Sequence, residues 1–116
     1  MTAPFPILRG ATLTLGLRAR RGTLTGNETV RAALKAAPNG VAPGLDAAEA
    51  AVFTATFVAA SGSTPAYWAL TLSAAQTAAL AKGAYATDMR VEVSGVVTYS
   101  PVLMCEASDP VTGAAS

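Results

Sequence analysis

The sequence predicts an all-β sandwich of about seven short strands with one short crossover helix. Three observations predict it. Apolar residues alternate with polar or small ones in run after run, clusters of Gly, Pro, Asn and Ser separate those runs at short intervals, and only one segment carries the capping signals of a helix.

The first strand is read in ILRGATLTLGLRA, residues 7–19, where Leu13, Leu15 and Leu17 alternate with Thr12, Thr14 and Gly16, and Ile7-Leu8 form a short edge before it. The Gly26-Asn27 pair turns the chain, and Val30, Ala32 and Leu34 alternate with Arg31, Ala33 and Lys35. A hairpin of these two strands is expected. APNGVAPGLD, residues 37–46, has two prolines and two glycines and is read as a loop. Residues 46–60 are ambiguous, because alanine favours a helix that Asp46 would cap, whereas Phe53, Ala55 and Phe57 alternate with Thr54, Thr56 and Val58. The β-branched and aromatic residues favour one strand from about Ala51 to Ala60. A turn at SGSTPA leads to a strand with Trp68, Leu70 and Leu72 on one face.

Ser73 with Gln76 three residues on is a capping box, and Gly83 is a stop signal, which predicts a crossover helix over about 73–82. After Gly83 the period changes from 3.6 to 2: Tyr85, Thr87, Met89, Val91 and Val93 share one side, Asp88, Arg90 and Glu92 the other. Ser94-Gly95 turns the chain into a last strand, Val96 to Cys105, bent at Pro101. A short helical turn before the final hairpin is a feature of immunoglobulin-like sandwiches. In these a Tyr near the start of the penultimate strand hydrogen-bonds to upstream backbone. Tyr85 is placed for such a corner, or else is an amphipathic residue at the core edge. Residues 1–116 thus read as a single domain with short polar arms, MTAPFP and SDPVTGAAS.

Composition narrows the chemistry. The chain has no histidine, a net charge of +1 and seven carboxylates that form neither a calcium loop nor an evident acid/base pair. Its glycines are scattered with no phosphate-binding pattern. The expectation is no enzyme, no catalytic residue, no metal and no cofactor. Cys105 is the only cysteine, so no internal disulfide forms, and it is read as a small buried hydrophobe. No block of 18 or more apolar residues suggests a membrane span, and Pro4, Pro6 and Arg9 interrupt what would be a signal peptide. A soluble chain from a reducing interior, with no membrane partner, is expected.

Two binding readings follow from side chains. Tyr67, Trp68 and Tyr99 are candidate stacking faces for a carbohydrate- or receptor-binding module, although aromatics are only 6% of the chain, which weighs against it. Arg9, Arg18, Arg20, Arg21, Arg31 and Lys35 place six of eight basic residues in the first 35. Without interleaved aromatics this disfavours nucleic acid and suggests a solvated face, or a rim at Arg18, Arg20 and Arg21 that meets an acidic protein partner.

The segment WALTLSAAQTAALAKGAYATDMRVEV, Trp68 to Val93, resembles the centre of small immunoglobulin-like domains of tailed bacteriophages, in particular the N-terminal domain of upper baseplate proteins. The matching positions are Leu72, Gln76, Thr77, Leu80, Gly83, Tyr85 and Asp88, with Ser73 where the family pattern has Thr. ILRGATLTLGLRA and ETVRAALKAA are similar more loosely. The resemblance implies a virion structural protein, an accessory module present in multiple copies that docks on tail, head-tail connection or capsid surface. Its partners would be other virion proteins. A capsid decoration role is the narrower alternative. It also implies that Tyr85 and Asp88 stabilise a structural corner and touch no substrate. The chain lacks the helical and fibre-bearing region that follows in baseplate proteins, which favours a free-standing accessory protein.

Overall fold

A computed structural model describes residues 4–19 and 22–111. The strands are β1 (Phe5–Leu8), β2 (Leu13–Leu17), β3 (Thr29–Ala36), β4 (Glu49–Val52), β5 (Thr54–Val58), β6 (Tyr67–Leu72), β7 (Gly83–Val93), β8 (Val96–Tyr99) and β9 (Leu103–Ser108). The helix α1 (Ala74–Ala78) lies between β6 and β7, and a 3-10 turn occupies Pro38–Gly40. One sheet runs β1-β9-β7-β3-β4, with β8 also on β7, and the other runs β2-β6-β5. All pairs are antiparallel except β1 with β9, which is parallel. The result is an all-β sandwich with one short crossover helix, as the sequence predicted, with nine strands among the described residues where about seven were expected.

Leu15 on β2, Leu34 on β3, Leu70 and Leu72 on β6, Tyr85 on β7 and Cys105 on β9 meet between the sheets, each from the inward side of its strand. Burying a leucine contributes about 1.5–3 kcal/mol, so this alternation supplies much of the driving force.

Several expectations are corrected. β2 and β3 do not form a hairpin: β2 pairs with β6 and β3 with β7 and β4. The span from Arg18 to Glu28 is long enough to cross between sheets, and each strand buries its own face against the opposite layer. The expected single strand over Ala51–Ala60 is two strands in different sheets. β4 pairs with β3, β5 pairs with β6, and the sheets are exchanged at Phe53. The Phe53 N–H still reaches the Ala32 carbonyl at 2.9 Å while its ring enters the core. The last strand is likewise divided. Pro101 has no N–H for the ladder, and Ser100 takes over on both sides, its N–H donating to the Met89 carbonyl and its hydroxyl accepting from the Met89 N–H, both at 2.9 Å.

The helix is shorter than the expected 73–82. Both halves of the capping box are present, Ser73 Oγ accepting from the Gln76 N–H and Gln76 Oε1 from the Ser73 N–H. The far end stops early because the Leu80 N–H turns back to the Thr77 carbonyl and Arg9 donates to the carbonyls of Ala78 and Leu80. Thr77, fully buried, accepts from the Gly10 N–H and donates to the Ala11 carbonyl, which ties the helix to the β1–β2 connection.

The polar arms also shrink. Phe5 and Pro6 belong to β1, while Ala107 is a core residue of β9. Asp109 is ion-paired with Arg9 at 2.6 Å and Lys82 at 3.5 Å. The Arg9 guanidinium holds the Asp109 carboxyl below the usual carboxylate range. The rest of both expected arms, residues 1–3 and 112–116, lies outside the described residues.

Phe53→Ala is expected to cost about 3–5 kcal/mol in urea unfolding, since it empties the site where the chain changes sheets. Removing residues 107–116 should abolish cooperative unfolding by taking Ala107 from the core, whereas removing 111–116 should leave the transition intact.

Candidate functional site

The sandwich has two chemically different ends. At one, α1 and the start of β7 are held by polar contacts. The Tyr85 hydroxyl donates to the Ala81 carbonyl at 2.7 Å, so the corner reading of Tyr85 is the one the geometry supports. Asp88 does not join it. It lies on the outer face of the first sheet, opposite Ala33 in register, beside a shallow pocket of about 260 Å³ whose wall includes Arg31, Lys35, Leu45, Arg90 and Tyr99.

Most of the charge on that outer face is paired within it, while the Asp88 carboxylate has no partner among the described residues. Arg31 and Arg90 stand directly opposite each other, an unfavourable like-charge pair unless each is neutralised. Glu49 pairs with Arg31 at 2.8 Å and Glu92 with Arg90 at 3.2 Å. Lys35 donates to the carbonyls of Gly44 and Leu45, which fastens the loop after the 3-10 turn against the sheet.

At the other end the β7–β8 hairpin projects beside the β2–β3 connection. Ser94 and Gly95, with φ of 50° and 83°, make the two-residue turn. Below the hairpin runs an apolar groove lined by Leu17, Arg18, Leu24, Val91, Tyr99 and Pro101. Arg18, the described member of the expected rim, borders this groove with its guanidinium 4.5 Å above the Tyr67 ring, a cation–π contact. Arg20 and Arg21 lie outside the described residues. The other N-terminal basic residues are dispersed: Arg9 serves the helix end, while Arg31 and Lys35 serve the outer face.

Glu28 was not singled out by sequence reasoning, yet it organises this end. Its carboxylate accepts from the Thr25 N–H at 2.9 Å, the Thr25 hydroxyl at 3.1 Å, the Gly26 N–H at 3.0 Å and Trp68 Nε1 at 2.9 Å. Glu28 precedes β3 in one sheet and Trp68 is on β6 in the other, so one carboxylate joins the layers. The Thr25 N–H and then the Trp68 indole lead the donors that hold its carboxyl down at about 2, from an ordinary 4.5. Gly26 permits the turn on two counts: its φ is 93°, and a Cβ there would come within 3.0 Å of the Phe57 ring. The only sequence signal for this hub was a carboxylate directly after the Gly26-Asn27 pair.

The aromatic residues proposed as a stacking platform are not assembled into one. Trp68 is half-buried, bonded to Glu28 and packed against Phe57 with ring centres 5.4 Å apart; Tyr67 lies under Arg18; Tyr99 stands exposed on β8. Among the described residues no group of three or more His, Cys, Asp or Glu side chains could hold a metal ion. No helix among the described residues is long and apolar enough to cross a membrane. Cys105 is buried, and burial pushes its thiol up to about 11.

The lowered Glu28 carboxyl fixes a sign. It stabilises the folded chain fully above pH 4.5, and that contribution fades as the pH falls toward 2. Glu28→Gln is expected to lower the melting temperature at pH 7 and to flatten the loss of stability between pH 4.5 and 2; an unchanged acid limb would show that the carboxylate is not the link. Tyr85→Phe should cost about 1 kcal/mol with no change in the acid limb.

Comparison with protein-family models, with curated proteins and with solved structures returned no match, so the function is argued from this chain's own surface and from the resemblance of residues 68–93.

Proposed function

We propose that the chain is a structural protein of a tailed-phage virion, an accessory module that docks on the particle by protein–protein assembly. The observation that carries this reading is the concentration of exposed apolar side chains on the hairpin end. Val93, Val96, Val97 and Tyr99 are all exposed within seven residues, and Tyr99 also lines the groove under the hairpin. Exposed apolar side chains gathered on one hairpin are characteristic of interaction sites. The same end carries Arg18 on its border, in keeping with a partner that brings carboxylates to the rim.

Two further features support the reading. The Trp68–Val93 segment that resembles phage immunoglobulin-like domains forms β6, α1 and β7, the elements that set the capping box and the tyrosine corner. The basic groups of the outer face, Arg31, Lys35 and Arg90, and Arg9 at the helix end are engaged with carboxylates or backbone carbonyls, an arrangement that serves stability and leaves binding to the apolar end.

The test is incorporation. Particles made in cells expressing the tagged chain are banded by density and its copies counted by gel densitometry. A fixed stoichiometry is expected, and Val96→Asp combined with Tyr99→Asp should reduce it at least tenfold while the isolated chain keeps its melting transition. A chain that never bands with particles would overturn the proposal.

A further inference from the structure

We infer that β8 is an edge across which two copies of this chain pair, with Thr98 on the two-fold axis. Sheets usually guard an edge with charge, proline or a bulge, since its free N–H and C=O groups are a template for another strand. Here β1 carries Pro6 and β4 carries Glu49 with a register shift next to it. β8, Val96-Val97-Thr98-Tyr99, has no charge and no proline, and all four residues are exposed. Among the described residues β1 pairs with residues 105–108 only, and none pairs with the outer side of β8.

The register follows from hydrogen-bond alternation. A two-residue turn makes Val93 and Val96 the closing hydrogen-bonded pair, and the next such pair is Val91 with Thr98. The bond from the Ser100 N–H to the Met89 carbonyl continues that alternation. The backbone groups of Val96 and Thr98 therefore face β7, and those of Val97 and Tyr99 face outward. An antiparallel second copy satisfies all of these only when Val97 stands opposite the second copy's Tyr99 and Thr98 opposite its counterpart.

Side chains agree with this register. Each Tyr99 packs beside the second copy's Val97, an aromatic–β-branched pair that stabilises sheets, and the two Thr98 hydroxyls meet at a non-hydrogen-bonded position where side chains lie closest. Behind them, Tyr99 is paired with Arg90 and Val97 with Glu92 on β7. Each row across the joint thus starts on an arginine and ends on the second copy's glutamate. A charged edge would set like charges against each other under a two-fold; β8 sets none. A second copy is therefore the occupant that the strand itself specifies. The pairing deepens the virion reading, on which its use in a repeating assembly rests.

The Thr98→Cys variant tests it in the full chain. A non-hydrogen-bonded pair has Cα atoms about 4.5 Å apart, inside the range that a disulfide spans, and the native Cys105 is buried. Mild oxidation is expected to give a disulfide-linked dimer as the main product. Ala75→Cys, on the exposed side of α1, should stay monomeric. Light scattering on the unmodified chain should show a mass rising from 11.6 kDa toward twice that as concentration increases. Val97→Pro removes an outward N–H without touching the β7 ladder, and Val97→Lys charges the edge; either should abolish the rise while Trp68 fluorescence stays native. A constant 11.6 kDa, or equal cross-linking of the two cysteine variants, would overturn the pairing. Particles that incorporate a strictly monomeric chain would sink the pairing and leave the virion reading standing. Dimers that never enter particles would do the reverse.

Discussion

A sandwich must pass its chain from one sheet to the other without leaving a buried backbone group unpaired, and the rest of this fold depends on how that is done at Phe53. The strand on either side belongs to different layers, yet the Phe53 N–H finds the Ala32 carbonyl and the buried side chain joins the core that Leu34 shares with the second sheet's leucines. Because the passage is made within a continuous extended run, β3 and β6 each gain a neighbour from a single stretch of ten residues, 49–58. The other passages rely on side chains in place of continuity. Thr77 and Arg9 stitch the turn after β1 to the helix, and Glu28 stitches the turn before β3 to Trp68.

What could be read in the sequence was local in origin. Alternation named the inward residues of β2, β6 and β7, and Ser73 with Gln76 named the helix start, since both signals are carried by neighbours a few residues apart. Tyr85 was legible as a corner because its partner, Ala81, is four residues away. The failures were all of partnership at a distance. Nothing in LTLGL says that it pairs with residues 68–72 and not with the strand that follows it. Nothing in the smooth alternation of residues 51–58 marks where one sheet is left for another, because Phe53 is apolar whichever layer it serves. Glu28 drew no notice because its indole donor lies 40 residues on.

The candidate site was half visible for a related reason. Arg18 could be named from charge, but its setting, stacked on Tyr67 at the border of an apolar groove, required β2 and β6 to be brought into register. The basic cluster of the first 35 residues looked continuous in sequence and is divided among a helix end, an outer sheet face and the hairpin end. Strand geometry explains the dispersal, since successive residues point to opposite faces and successive strands belong to different layers. The exposed valines of the hairpin carry the opposite lesson. As sequence they resemble core, and only the absence of any covering element shows them to be surface.

Cys105 gives the molecule a clock. The sole thiol sits on β9, between β1 and β7, and its raised titration keeps it in the unreactive protonated form through the neutral range. A thiolate-seeking alkylating reagent can reach it only after β1 or β9 lifts from the sheet. Its labelling rate therefore counts openings of that edge, much as amide exchange counts openings of a hydrogen bond. The parallel β1–β9 joint is the one place where the first strand of the chain is held by the last, so such counting would time how often the two ends of the chain let go of each other.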